Sequence, residues 1–314
     1  MIRRVEDSDW IGKCVITLIA LGSLTVVGGC RSSAHHVVRV ARVTHFANPQ
    51  AGFTPTEEAE IDDNCPAGMP KKDPAFEHGP TEYVIREGYV LEHSSADKIA
   101  LWVCEHVTPE ELAGDVKRRD KFKPDPQLAK GERAELADYR GSGFDRGHQA
   151  PAGDQKSSQR LNDETFYLSN MAPQVGRGFN RGVWRALEEM VRTWTEEQGV
   201  GDVYVITGGL FYDPAEDDSS TADGLIDYSV IGKNAVAVPT HFYKIVVAHQ
   251  GEQWKAVAFV LTNTKQDIPD EFSPFVRSIR WVEEQTGLDF MPNLDLLTAE
   301  SIEASPGTLW GGSH

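Results

Sequence analysis

The sequence predicts an α+β fold built on a mixed or antiparallel sheet. Three features of the 314-residue chain point there: β-branched and aromatic runs precede the first strong amphipathic helix, more follow it, and no βαβ alternation links them. With 40% apolar and 25% charged residues, the composition is that of a globular protein able to bury one large core or two small ones.

The chain opens as an address rather than as fold. Arg3, Arg4 and Lys13 precede an apolar run from Cys14 to Val27, which is too short to span a bilayer comfortably and suits the apolar part of a secretion signal. The "VGGC" that follows ends at Cys30, like a lipoprotein cleavage box whose cysteine becomes the lipidated first residue. Residues 1–30 are therefore expected to be a lipoprotein-type signal peptide, with the protein exported to a bacterial cell envelope and lipid-anchored to the membrane through Cys30. Glu6, Asp7 and Asp9 dilute the positive start, so a plain signal peptide or a short membrane anchor stays open. Once Cys14 is removed and Cys30 modified, Cys65 and Cys104 remain as one pair that an oxidising compartment can join into a disulfide; two unpaired thiols are the alternative. The cysteine spacings do not form a zinc motif.

Residues 31–75, rich in Ser, Ala, Pro, Asp and Glu and without sustained periodicity, read as a flexible linker. One folded domain is expected over 76–300, with a loose tail over 301–314. In the domain, "EYVIREGYVLEHS" and "KIALWVCEHV" read as two strands separated by a polar "SSAD" turn, and "ETFYLSNMAP" holds one short strand. The clearest helix is "NRGVWRALEEMVRTWTEEQG", where Val183, Trp184, Leu187, Met190, Val191 and Trp194 share a face and Gly199 is a stop. Strands follow in "DVYVITGG", "LIDYSVI", "AVAVPTHFYKIVVAH" and "WKAVAFVLTN", the last two joined as a hairpin through "QGEQ". "PFVRSIRWVEEQTG" is a second amphipathic helix.

A formal charge of −17 excludes a protein that coats nucleic acid through overall charge, so any phosphate site must be locally basic. Such an island exists: from Asp115 to Arg160 eleven Lys and Arg face eight Asp and Glu. Inside it, "GSGFDRGHQAPAGD" sets Asp145, Arg146, Gly147 and His148 side by side in a Gly-flanked loop too polar for a core. On the helix, Asn180, Glu188 and Arg192 are spaced by eight and four and climb one flank beside the apolar face. Plainer roles exist for each: a solvated loop histidine, an N-cap at Asn180, and a surface ion pair between Glu188 and Arg192.

"DYRGSGFDRGHQAPAGD", "TFYLSNMAPQVGRGFNRGVWRALE", "YVITGG", "VPTHFYKIVV" and "TGLDFMPNL" together closely resemble the DNA/RNA non-specific endonuclease family, in register from about Gly79 to Leu294. The resemblance implies a ββα-metal nuclease motif, in which two strands and a helix bring a histidine and an asparagine-bound Mg²⁺, or Mn²⁺, onto one phosphate of DNA or RNA. On these positions His148 would be the general base and Asn180 the direct metal ligand. Glu188 would order the waters around the ion, and Arg146 and Arg192 would grip phosphate. Asp145 and Asn170 would support the loop and the histidine. Upstream, "KRRDKFKPDP" supplies Arg119 as a further phosphate ligand, with Arg118 adjacent. A homodimer is compatible with the resemblance.

Two departures bear on function. The second glycine of "YVITGG" stands where family members often have proline, and the insert "YDPAEDDSSTADG" is acidic, which opposes a polyanion near Asp213 to Asp223. A cell-surface phosphodiesterase of the same fold acting on another substrate, and a non-catalytic lipid-tethered binding protein, are therefore the rival readings. "GRGFNRG" lacks the spacing of a dinucleotide-binding loop. His241 in its apolar strand and Trp184, Trp194, Trp254 and Trp281 fit structural positions better than ligand sites.

Overall fold

The computed structural model describes residues 3–5, 36–40, 52–196, 200–250 and 253–310. Its centre is a seven-stranded antiparallel sheet, in the order Val276–Arg277, Gln253–Thr262, His241–Gln250, Val203–Leu210, Ile99–Val107, Tyr89–Ser94 and Thr81–Arg86. The expected hairpin through residues 250–253 is present, with Gln250 opposite Gln253. Two expected strands are each divided. Glu87 and Gly88 turn "EYVIREGYVLEHS" into its own hairpin, where Gly88 leaves room for the buried Gln155 side chain, and Pro239 separates Val236–Val238 from His241–Gln250. Proline has no N–H for a central ladder, so the chain breaks there.

Alternation along the central strands gives the sheet two apolar faces. Val203, Val205, Phe242, Val246, Val257 and Phe259 meet Trp184, Leu187, Val191 and Trp194 of the main helix on one face. On the other, Ile206, Tyr243, Ile245 and Val260 meet Ile279 and Val282 of a shorter helix, Ile279–Thr286, capped by Ser278 and ended by Gly287 at φ 66. Trp184 and Trp194 are core residues, and Trp254 and Trp281 pack partly buried against the second face. His241 starts its strand with Nδ1 3.0 Å from Thr240 Oγ1.

Three segments differ from the sequence expectations. Residues 55–64 of the expected linker form a helix that packs on the sheet beside Cys65 and Ala67. Thr54 and Glu57 close a capping box and Pro55 fills the first turn, which is the local reason it forms. The tail is not loose up to Trp310: the helix Leu296–Glu303 lies on strand Gln253–Thr262, and the Trp310 ring packs tilted against Trp194, centroids 5.1 Å apart. Cys65 and Cys104 are free, buried thiols rather than a disulfide, and burial pushes the Cys104 thiol up.

A smaller sheet joins Ile226–Ile231 to Val236–Val238 and to His36–Val40, with Arg3–Val5 on its outer edge. Loss of Arg3–Val5 with a leader would leave the other pairings intact. The remainder of residues 1–30, including Cys14 and Cys30, and Gly199 lie outside the described residues. No helix among the described residues is long and apolar enough to cross a membrane.

Candidate active site

The "DRGH" segment is a strand rather than the expected loop. Phe144–His148 pairs antiparallel with Met171–Val175, setting His148 opposite Met171 and Gly147 opposite Ala172. Glycine is required at 147 because a Cβ there would lie 2.1 Å from the buried side chain of Gln174. This ribbon stands off the main sheet, so its polar residues line a site instead of a core. Asn263 fastens it: its Oδ1 accepts from Val175 N at 2.9 Å, and its Nδ2 donates to the carbonyls of Pro173 and Pro239. Asn170 fixes the exit from the strand, accepting from Ala150 N at 2.9 Å and donating to the carbonyls of Ala150 and Thr165.

The ribbon runs into an irregular coil, Gly176–Trp184, before the regular helix Arg185–Glu196. Asn180 sits in this coil and does not cap the helix. Gly178, at φ 89, makes the coil possible, since a Cβ there would meet Lys265 Cγ at 2.7 Å. The backbone leaves helical geometry at Arg177, Gly178 and Gly182, so Asn180 is not in register with the helix that follows. Here Asn180 Nδ2 donates to Asp145 Oδ2 at 2.9 Å, and Arg181 Nε lies 3.0 Å from the same oxygen.

His148 is 8% exposed and packs between Phe166 and Phe122, with ring centroids at 5.0 and 5.8 Å. The same two rings carry two cations: Arg146 lies 4.0 Å over Phe122 and Arg118 lies 5.0 Å over Phe166. Burial first, then the charges of Arg118 and Arg146, push the imidazole down to about 3, so it is neutral at working pH. Its Nε2 is buried and has no hydrogen-bond partner among the described residues.

The helix flank meets this site through the loop after His148. Arg192 Nη1 contacts Asp154 Oδ1 at 2.5 Å, and one turn back Glu188 is half-buried. Burial pushes Glu188 up to about 7, opposed by Lys244, Arg192 and Arg118. The Arg118 charge bears on both His148 and Glu188, which links the ribbon to the helix flank, and the coil joins the ribbon through Asn180 and Asp145. Arg119 is the exception among the sequence candidates. Its guanidinium pairs with Asp163 at 3.1 Å, whereas the neighbouring Arg118, paired with Asp120 at 2.7 Å, lies over the Phe166 ring that packs on His148.

Sequence reasoning missed Phe122, Phe166, Asp154, Asn263 and Lys244. Only Asn263 carried a readable signal, as an amide directly after a long apolar strand. A separate acidic group, Glu283, Asp289 and Glu303, has its carboxylate oxygens within 4.8 Å of one another, but by the short helix on the other face of the sheet.

Residues 73–297 match the DNA/RNA non-specific endonuclease family. The chain belongs to that family. Nuclease C1 of Cunninghamella echinulata var. echinulata is 44% identical over 71% of this chain and 88% of its own length. Human mitochondrial endonuclease G is 42% identical over 70% of this chain and 72% of its own. A chain of the EndoG/EndoGI complex solved by crystallography superposes with a TM-score of 0.67 at 33% identity, covering 81% of this chain and 96% of that one. As a member of this family the chain is a nuclease with an α+β fold.

Proposed function

We propose that this nuclease is a divalent-cation-dependent endonuclease that hydrolyses DNA and RNA with little sequence preference. The observation that carries this is His148: a buried, neutral imidazole with an uncommitted Nε2, flanked by two guanidiniums. A phosphodiester drawn between Arg118 and Arg146 brings negative charge to Arg146 and replaces, at Arg118, the exposed surface pairing with Asp120 at 2.7 Å. That charge also offsets the Arg118 and Arg146 charges, which add to burial in keeping His148 unprotonated, so the imidazole gains proton affinity as substrate binds. Nε2 then takes the proton from the attacking water.

The donor set suits a hard dication. Asn180 has given its Nδ2 to Asp145, which leaves Oδ1, a neutral oxygen, without a hydrogen bond among the described residues. Mg²⁺, with Mn²⁺ as substitute, takes such oxygens and keeps several waters. Bound there, the ion would offset charge gathering on the phosphate and on the departing 3′ oxygen. Glu188 accepts hydrogen bonds from water in the site, Arg192 holds Asp154, and Asp145 orients Asn180. Groups that grip phosphate without reading base edges give cleavage with little sequence preference, and family likeness adds 5′-phosphate products.

Export and lipid anchoring through Cys30 complete the proposal, supported by the Cys14 to Val27 run and "VGGC". Radiolabelled palmitate should enter the wild-type chain in a bacterial host and not Cys30→Ser. For the activity, purified protein should degrade plasmid and RNA with Mg²⁺ and stop in EDTA. Cleavage that ignores EDTA counts against the proposal.

A further inference from the structure

The face of the sheet beneath the main helix holds a lysine that apolar packing alone does not explain. Lys244 is 1% exposed, opposite Thr207 on the neighbouring strand, and its Nζ donates to Thr207 Oγ1 at 2.7 Å. The ammonium lies 5.2 Å from the centre of the Trp184 ring. Two strands away, Glu105 is 1% exposed, and neither of its carboxylate oxygens has a hydrogen-bond partner among the described residues. Glu105 shares the face of Val107, and Lys244 that of Phe242 and Val246, so both point under the helix. A buried lysine and a buried glutamate without hydrogen bonds to each other form an expensive pair that hydrophobic residues would replace at little loss. Their position suggests what they do. Trp184 and Glu188 are one helical turn apart, so the ammonium under the Trp184 ring lies below the wall from which Glu188 enters the site.

Resting on the role assigned above to Glu188, we propose that Lys244 is a positioning residue for cleavage: its buried ammonium, held by Thr207, is the counter-charge that favours the carboxylate form of Glu188 against burial. Of the charges acting on Glu188, Lys244 on the sheet is the strongest attraction, ahead of Arg192 on the same helix and Arg118 on the loop; Asp154 repels. Lys244 in turn faces Glu105, Glu188 and Asp154, with Arg192 opposing, and Glu105 faces Asp154, Glu188 and Glu111.

The test uses the full chain, metal-free, with carboxyl-labelled glutamate to follow Glu188 by NMR. In Lys244→Met the Glu188 titration should move up by about one pH unit or more. Should that variant fail to fold, Glu105→Gln/Lys244→Met removes both buried charges, is expected to fold, and should show the same shift. In Mg²⁺-activated cleavage, Lys244→Met should lower kcat by about tenfold or more with KM little changed, yet by less than about twofold when Glu188 is already Gln. An unmoved titration in a folded variant, or an equal loss in both backgrounds, overturns the inference and leaves the proposed function standing. A Glu188→Gln protein as active as wild type would instead sink the role of Glu188 itself.

Discussion

Asp145 Oδ2 holds Asn180 Nδ2 at 2.9 Å, and this contact decides which end of the Asn180 amide is offered to the site. Arg181 shares the oxygen at 3.0 Å but is 68% exposed, so water can replace it. Asp145→Ala should raise the Mg²⁺ concentration for half-maximal plasmid cleavage by about 10- to 100-fold. Arg181→Ala should change it little. Identical Mg²⁺ titrations for Asp145→Ala and wild type would remove Asp145 from the site.

His148→Ala should lower kcat by about 10² to 10⁴, the usual worth of general acid–base catalysis. The wild-type imidazole, held near about 3 by burial and by Arg118 and Arg146, should show no NMR titration between about pH 5 and 8 in the free protein. Its folded pKa lies below its unfolded one. The unfolded chain therefore binds more protons, and this group's contribution falls away as pH drops from about 6.5 towards about 3. His148→Ala should flatten that acid loss in a series of thermal melts.

Arg118→Ala should weaken substrate binding by about tenfold or more, seen in KM, since a charged hydrogen bond contributes about 1.5 to 3 kcal/mol. Arg119→Ala should cost less than about twofold: both arginines have a surface carboxylate partner, but it is Arg118 that lies over the Phe166 ring packed on His148. The opposite ranking in steady-state kinetics would put Arg119 back in the site.

Gly178→Ala should destabilise by about 1 to 3 kcal/mol and impair cleavage, because φ 89 and the approach to Lys265 both forbid a side chain two residues before Asn180. Gly131→Ala, at φ 99 with nothing within 4 Å, is the control for backbone strain alone. It should lower the melting temperature without touching kcat.

The sheet and both amphipathic helices were readable because their apolar periodicities are long and the faces they bury are real. The helix 55–64 was missed because its stability comes from Thr54, Pro55 and Glu57 at its start, while only a few of its residues touch the core. The strand at Phe144–His148 was missed for a different reason. Its pattern obeys the site and the crossing of Gln174 over Gly147, neither of which shows as alternation. Asp145, His148, Asn180, Glu188 and Arg192 could be named as candidates because each lies in a dense motif or on one helix flank. Phe122 and Phe166, which seat His148 and two arginines together, are ordinary aromatics in the sequence. Arg118 and Arg119 differ only in which way each side chain turns, and tertiary contacts with Phe166 and Asp163 decide that.

The most direct test of one shared cation between ribbon and coil is anomalous scattering from crystals soaked in Mn²⁺. A peak about 2.1 Å from Asn180 Oδ1, on the side of His148 and Glu188, and absent in Asn180→Ala, is the predicted result. A peak only at Glu283, Asp289 and Glu303, or one that survives Asn180→Ala unchanged, would contradict it.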